Sequence, residues 1–193
     1  MSAAARILAV TISTRCAIPD PEIADLKARL QPGLFFVRLT PGRLSLIKAA
    51  MKEVVKYSRC FVCGEENPIG LKARFYQDGD RVTSSLVAMS EFEGYRGIYH
   101  GGIIATMLDE VMIKSVLAEG IFAVTAEISV RYKSPVLIGA QLRFSGKIKS
   151  QKGRVFSTEG EAADEQGIVY ATASGKYVQA DGDLKERLKI SVE

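Results

Sequence analysis

At 193 residues with 47% hydrophobic content, the chain is long enough for one ordinary domain plus an appendage, and its composition is that of a globular protein. No apolar run approaches the roughly 20 residues of a membrane-spanning helix, because even the stretch around Ile103 is interrupted by Thr106, Asp109, Glu110 and Lys114. The net charge of +4 is unevenly placed: residues 1–59 hold ten Lys/Arg against four Asp/Glu, and the remainder 16 against 18. A folded body with a slight acidic excess argues against a nucleic-acid module.

Cysteine usage is sparse, with Cys16 alone and Cys60 and Cys63 as a Cys-x-x-Cys pair, too few for a disulfide-built secreted domain. The N-terminus "MSAAARILAVTISTRC" carries an apolar run of only "ILAV", which falls short of a secretory signal. A reducing, cytoplasmic compartment is the expectation.

Along the chain, residues 1–50 read as loosely organised, with Pro19, Pro21, Pro32 and Pro41 breaking a short helix near "EIADLKARL". From Ser45 to Tyr57 the apolar residues Leu46, Ile47, Ala50, Met51, Val54 and Val55 fit one helical face and Lys48, Lys52 and Lys56 another, which predicts a cationic amphipathic helix packed on the main domain. The pair in "CFVCGEENPIGL" reads as a tight turn leading to the first strand, since no second pair follows to complete a zinc knuckle. "LKARFYQDGDRVTSSLVAM" predicts two strands joined at the Asp-Gly turn.

The run "HGGIIATMLDEVM" predicts a buried helix from Gly101 onward. After it, "FAVTAEISVRYKSP" alternates, with Val124, Ala126, Ile128, Val130 and Tyr132 on one face and Thr125, Glu127, Ser129 and Arg131 on the other, the pattern of a half-buried strand. Three further strands follow in "AQLRFSGKIKSQ", "RVFSTEGEAAD" and "IVYATASGKYVQA", and the tail from Asp181 is short and polar. One long helix and five or six antiparallel strands make an α+β domain in which the sheet wraps the helix. Three segments result: an N-terminal extension over 1–59, the main domain over 60–180 and the tail over 181–193.

Two features of that helix point to chemistry. Gly101 and Gly102 lie at its start, where unpaired backbone N–H groups point outward and suit an anion or a carbonyl oxygen that becomes an oxyanion. Asp109 is flanked by Met107, Leu108, Val111 and Met112, where an ionised carboxylate is costly unless it is hydrogen-bonded, paired or used as a base. Glu110 is expected to face solvent. Gly101 and Asp109 are separated by about 12 Å of helix at roughly 1.5 Å per residue, too far for both to reach one reacting centre. A symmetric dimer with antiparallel central helices would place the glycines of one copy opposite Asp109 of the other.

The run "FEGYRGIYHGGIIATMLDE", with the later "TAEISVRYKSP", resembles the hotdog-fold acyl-CoA thioesterases of the phenylacetate-pathway and thioesterase-superfamily-member types over roughly Cys60 to Val178. The Cys-x-x-Cys-Gly segment is similar to that of some prokaryotic members. The resemblance implies a hotdog fold, a homodimer or homotetramer, an acyl-CoA substrate and no metal or other cofactor. It also implies that Asp109 acts as general base or nucleophile, that the Gly101 N–H polarises the thioester carbonyl, that His100 helps shape the site and that Thr125 orients water. Gly102, Gly94 and Tyr95 are the corresponding substrate-binding candidates. Several relatives carry an Asn where Gly94 stands, so that polarising group is absent or moved here.

Other constellations fit less well. No Gly-x-Ser-x-Gly elbow accompanies His100, and one histidine cannot supply a catalytic zinc with its usual ligands. Lys133, Arg96 and Lys149 are conceivable contacts for the CoA phosphates. A non-catalytic acyl-CoA-binding module of the same fold is the alternative, and a hotdog dehydratase is a more distant one.

Overall fold

The computed structural model describes residues 51–192. The short helix expected near "EIADLKARL", the first part of the amphipathic helix and Cys16 lie outside the described residues. In chain order the elements are β1 (Lys52–Glu53), β2 (Tyr76–Asp78), β3 (Arg81–Val87), a 3-10 turn (Ser90–Phe92), α1 (Gly101–Ala118), β4 (Ala123–Tyr132), β5 (Gln141–Lys152), β6 (Val155–Ala163), β7 (Val169–Gln179) and α2 (Gly182–Ile190). The strands form one antiparallel sheet in the order β1-β2-β3-β5-β6-β7-β4, and α1 packs across its centre. Among the described residues no helix is long and apolar enough to cross a membrane.

The period-2 pattern of the three C-terminal strands explains how α1 is held. Leu142, Phe144 and Gly146 of β5, Phe156, Thr158, Gly160 and Ala162 of β6, and Ala171, Ala173, Gly175 and Tyr177 of β7 are buried, the alternation expected when one sheet face covers a core. From α1, Met107, Leu108, Val111 and Met112 are all fully buried. Gly146 and Gly160 are register partners on adjacent strands. A methyl group on Gly146 would lie 2.6 Å from the Val111 carbonyl oxygen, and one on Gly160 would lie 3.0 Å from Met112 Cγ. The paired glycines therefore form a notch in which the helix backbone rests directly on the sheet.

Both ends of α1 are specified locally. His100, in extended conformation, accepts the Gly102 N–H on its side chain, as an N-cap does. At the other end Gly120 adopts φ +76, and its N–H and that of Ile121 reach back to Leu117 and Val116, a left-handed C-terminal cap.

Four expectations are revised. Residues 51–57 are not helical: Lys52 and Glu53 pair with β2, and Val54 N–H bonds to Phe75 O, a sheet edge overriding helical periodicity in a segment with two β-branched valines. The sheet has seven strands, because β1 and β2 are only 2 and 3 residues long and leave little pattern in sequence. Most of β4 is exposed on both faces, since it is an edge strand whose far side no element of the described chain covers. The polar tail forms α2.

Substituting Gly146→Ala is expected to push the helix off the sheet and destabilise the domain by about 1–3 kcal/mol, the range for overpacking a close contact. Denaturant unfolding of the variant beside the parent protein measures this.

Candidate active site

The N-terminus of α1 is organised around His100. The His100 N–H donates to Phe92 O at 2.9 Å and Tyr99 N–H to Val136 O at 2.8 Å, which anchor the residues preceding the helix. The imidazole Nδ1 accepts the Gly102 N–H at 2.9 Å, so a neutral ring carries its proton on Nε2. Gly102 and Gly94 both make room for the ring. A Cβ on Gly102 would lie 2.8 Å from Nδ1, and one on Gly94 would lie 3.2 Å from Cδ2.

The Gly102 N–H is thus consumed by the cap, and Ile103 N–H donates to His100 O at 3.0 Å. The Gly101 N–H has no acceptor among the described residues, which leaves it as the free donor of this helix start. The Gly101 carbonyl accepts the Tyr132 hydroxyl at 2.7 Å, with the Tyr132 ring beside it. A groove of ≈ 550 Å³ opens here, lined by Gly94, Tyr95, His100, Gly101, Tyr132 and Lys133 among others. Tyr95 is 82% exposed at its rim. Lys149, by contrast, pairs with Glu159 on the sheet.

Asp109 is held two turns further along. Its Oδ1 accepts the Thr125 hydroxyl at 3.0 Å and the Tyr177 hydroxyl at 2.9 Å. The register shifts between Thr125 and Glu127, and this bulge turns Thr125 toward the helix. Simple alternation placed Thr125 on the face opposite Tyr132; in the structure both donate to α1. Tyr177 was not legible as a site residue. It is fully buried, burial and the nearby Asp109 charge hold its hydroxyl protonated by raising its pKa, and its ring lies where a side chain on Gly175 would stand. The only sequence signal is a glycine two residues before an aromatic on one strand face.

Glu110 does not face solvent as expected. It is largely buried, 3.5 Å from Lys114 and 4.0 Å from the Cys60 sulfur, and burial pushes its carboxyl up to about 7, opposed by the Lys114 charge. A 3.6-residue turn sends adjacent side chains to different sides, so Asp109 meets β4 and β7 while Glu110 meets the loop at Cys60.

The structure therefore brings His100, Gly101, Gly94 and Tyr95 to one groove and Asp109 and Thr125 to another place. Asp109 does not line the groove. Each chain carries two halves: a free amide beside an apolar-walled cleft, and a carboxylate with two hydroxyl donors. A larger concavity of ≈ 1180 Å³ is lined by residues such as Thr83, Ser85, Arg143 and Glu161 and touches none of these groups. Among the described residues, metal-ligand spacing occurs at Cys60, Cys63 and Glu110, outside both halves.

The family profile described as Thioesterase superfamily matches residues 96–171, a span containing both halves apart from Gly94, Tyr95 and Tyr177. A curated relative, the acyl-coenzyme A thioesterase THEM4 of Mus musculus, is 27% identical over 135 residues, which is 68% of this chain and 56% of that protein. The chain thus spans little more than half the length of the curated relatives it matches. Among solved structures, the thioesterase superfamily protein RHA08564 is similar with a TM-score of 0.60 and 23% identity, covering 81% of this chain and 85% of that one. The smu.793 protein of Streptococcus mutans, solved bound to acetyl CoA, gives a TM-score of 0.53 and 18% identity, covering 56% of this chain and 88% of that one. A helix seated in one antiparallel sheet and these neighbours agree on the fold: the chain carries a hotdog-fold domain, and its residues 96–171 are similar to the Thioesterase superfamily profile.

Proposed function

We propose that this protein hydrolyses an acyl-CoA thioester to a free acid and CoA, at sites built from two copies of the chain. The observation that carries the reading is the separation within one chain of an unclaimed Gly101 N–H at a groove from an Asp109 carboxylate braced by Thr125 and Tyr177. Thioester hydrolysis needs a donor for the carbonyl oxygen and a base or nucleophile on the other side of the carbon. Each chain offers one of each, too far apart to serve the same carbonyl.

The second copy is supported by β4. It is a sheet edge ten residues long, with Ile128 and Tyr132 exposed, and long exposed edges are ready templates for pairing. Two-fold pairing at β4 sets the central helices side by side in opposite directions, so that Gly101 of one copy faces Asp109 of the other. A dimer of such dimers is compatible with the same contact.

In this arrangement the thioester carbonyl oxygen accepts the Gly101 N–H, strengthened by the positive end of the helix dipole. Asp109 takes a proton from water while the water oxygen bonds to the carbonyl carbon. The tetrahedral intermediate collapses by breaking the C–S bond, and the CoA thiolate leaves with a proton. If Asp109 instead attacks the carbon itself, the thiolate leaves first and water cleaves the resulting anhydride. Thr125 and Tyr177 both donate to the carboxylate and fix its direction. His100 acts by capping, keeping Gly102 engaged and Gly101 free. The groove wall supplies Lys133 as a contact for the anionic nucleotide portion, and the Streptococcus mutans neighbour, solved bound to acetyl CoA, supports this reading.

Asp109→Asn is expected to lower hydrolysis of a panel of short, long and aryl acyl-CoA substrates at least about a hundredfold, with unchanged circular dichroism. Turnover equal to the parent would remove the assignment, and retained binding without turnover in the parent protein would mark a non-catalytic module. Tyr177→Phe removes a hydrogen bond to a charged group, one of ~1.5–3 kcal/mol, so kcat is expected to fall roughly 10- to 100-fold while KM holds. Ile128→Lys is expected to yield a monomer by light scattering that has lost hydrolysis; a fully active monomer would rule out the two-copy site.

A further inference from the structure

We propose that Cys60, Cys63 and Glu110 form a binding site for a thiophilic divalent cation of the zinc class, tying the loop before the sheet to the central helix. The two sulfurs and a Glu110 carboxylate oxygen all lie within 4.8 Å of one another, with Cys60 Sγ and Glu110 Oε1 at 4.0 Å. In a tetrahedral zinc site, bonds of about 2.3 Å to sulfur and about 2.0–2.2 Å to oxygen set ligand atoms roughly 3.5–3.8 Å apart. Closing the cluster on an ion takes only side-chain rotation.

The surrounding loop is built to present the two sulfurs. Val62 N–H donates to Cys60 Sγ at 3.3 Å, and Gly64 N–H donates to Cys60 O at 3.0 Å. The chain folds back so tightly that a Cβ on Gly64 would lie 2.6 Å from Cys60 O. Asn67 braces it on both sides, its amide donating to Arg59 O at 3.2 Å and its oxygen accepting Ile69 N–H at 3.1 Å. Leu71 N–H returns to Phe61 O at 2.9 Å. Gly64, Asn67 and Leu71 of this segment are thus occupied in holding the loop, and what the loop holds is a pair of sulfurs against a helix carboxylate.

Charge balance favours a dication. Two thiolates and one carboxylate carry three negative charges, and Lys114 supplies one positive charge from a fully buried position. Its ammonium lies 3.5 Å from Glu110, donates to Val55 O at 2.5 Å and sits 4.7 Å above the Tyr57 ring. The remaining two negative charges match one divalent ion. Paired thiolates select zinc over magnesium or calcium, Lys114 is placed as an outer partner of the ligating carboxylate, and three protein ligands leave the fourth position to water. The role is structural: Glu110 belongs to the side of α1 away from the partners of Asp109.

The test uses the full chain, purified under reductant, stripped with chelator and titrated with Co²⁺. One equivalent is expected to give an intense thiolate-to-cobalt charge-transfer band and the strong visible bands of tetrahedral cobalt, both displaced by Zn²⁺. Zinc is expected to raise the melting temperature of the parent protein and not that of Cys60→Ser or Cys63→Ser. Glu110→Gln is expected to weaken zinc at least about tenfold, and X-ray absorption of the zinc-loaded parent protein is expected to show two sulfur and two lighter ligands, whether or not that variant folds. Absence of the charge-transfer band, a band lost in Cys16→Ser, or a sulfur count other than two would overturn the site.

Discussion

The domain depends on how closely α1 lies against the sheet. Gly146 and Gly160, partners on neighbouring strands, leave no side chain between the strands and the helix at Val111 and Met112. Close approach excludes water from Met107, Leu108, Val111 and Met112, each fully buried, and burying such side chains contributes on the order of 1.5–3 kcal/mol apiece. It also fixes the rotation of the helix, because its backbone is seated in a notch rather than on a layer of flexible side chains.

That rotation determines the positions of two adjacent acids. Asp109 reaches Thr125 and Tyr177, and Glu110 reaches Lys114 and the Cys60 loop. A polar group taken from water is costly unless it finds partners, and the two carboxylates meet that requirement differently. Asp109 accepts from neutral hydroxyls that orient it without neutralising it, a condition suited to a base. Glu110 sits beside a buried ammonium and two sulfurs, a condition suited to holding a cation. The same physical demand, satisfied by different donors one residue apart, separates the two roles proposed for these acids.

The free edge at β4 connects fold to assembly. Strands β5, β6 and β7 each have two neighbours and one face on α1, whereas β4 has a neighbour only at β7. Its side toward α1 carries Thr125 and Tyr132, which brace Asp109 and Gly101 respectively. In the two-copy site proposed above, pairing at this edge would bring a second copy to the strand that orders both of its halves.

The sequence by itself determined the helix from Gly101, the alternation of the long strands and the motif carrying His100, Gly101 and Asp109, because these signals are local and repeat with the period of the element that bears them. The seating of α1 on two strand glycines, the arrival of Tyr177 at Asp109, the bulge that redirects Thr125 and the burial of Glu110 beside Cys60 were decided only in three dimensions. Each joins residues between 14 and 68 positions apart, and no local periodicity records which distant segment a side chain will meet. The extended course of Lys52 and Glu53 has the same origin: a helical pattern gave way to a neighbouring strand that supplied backbone partners.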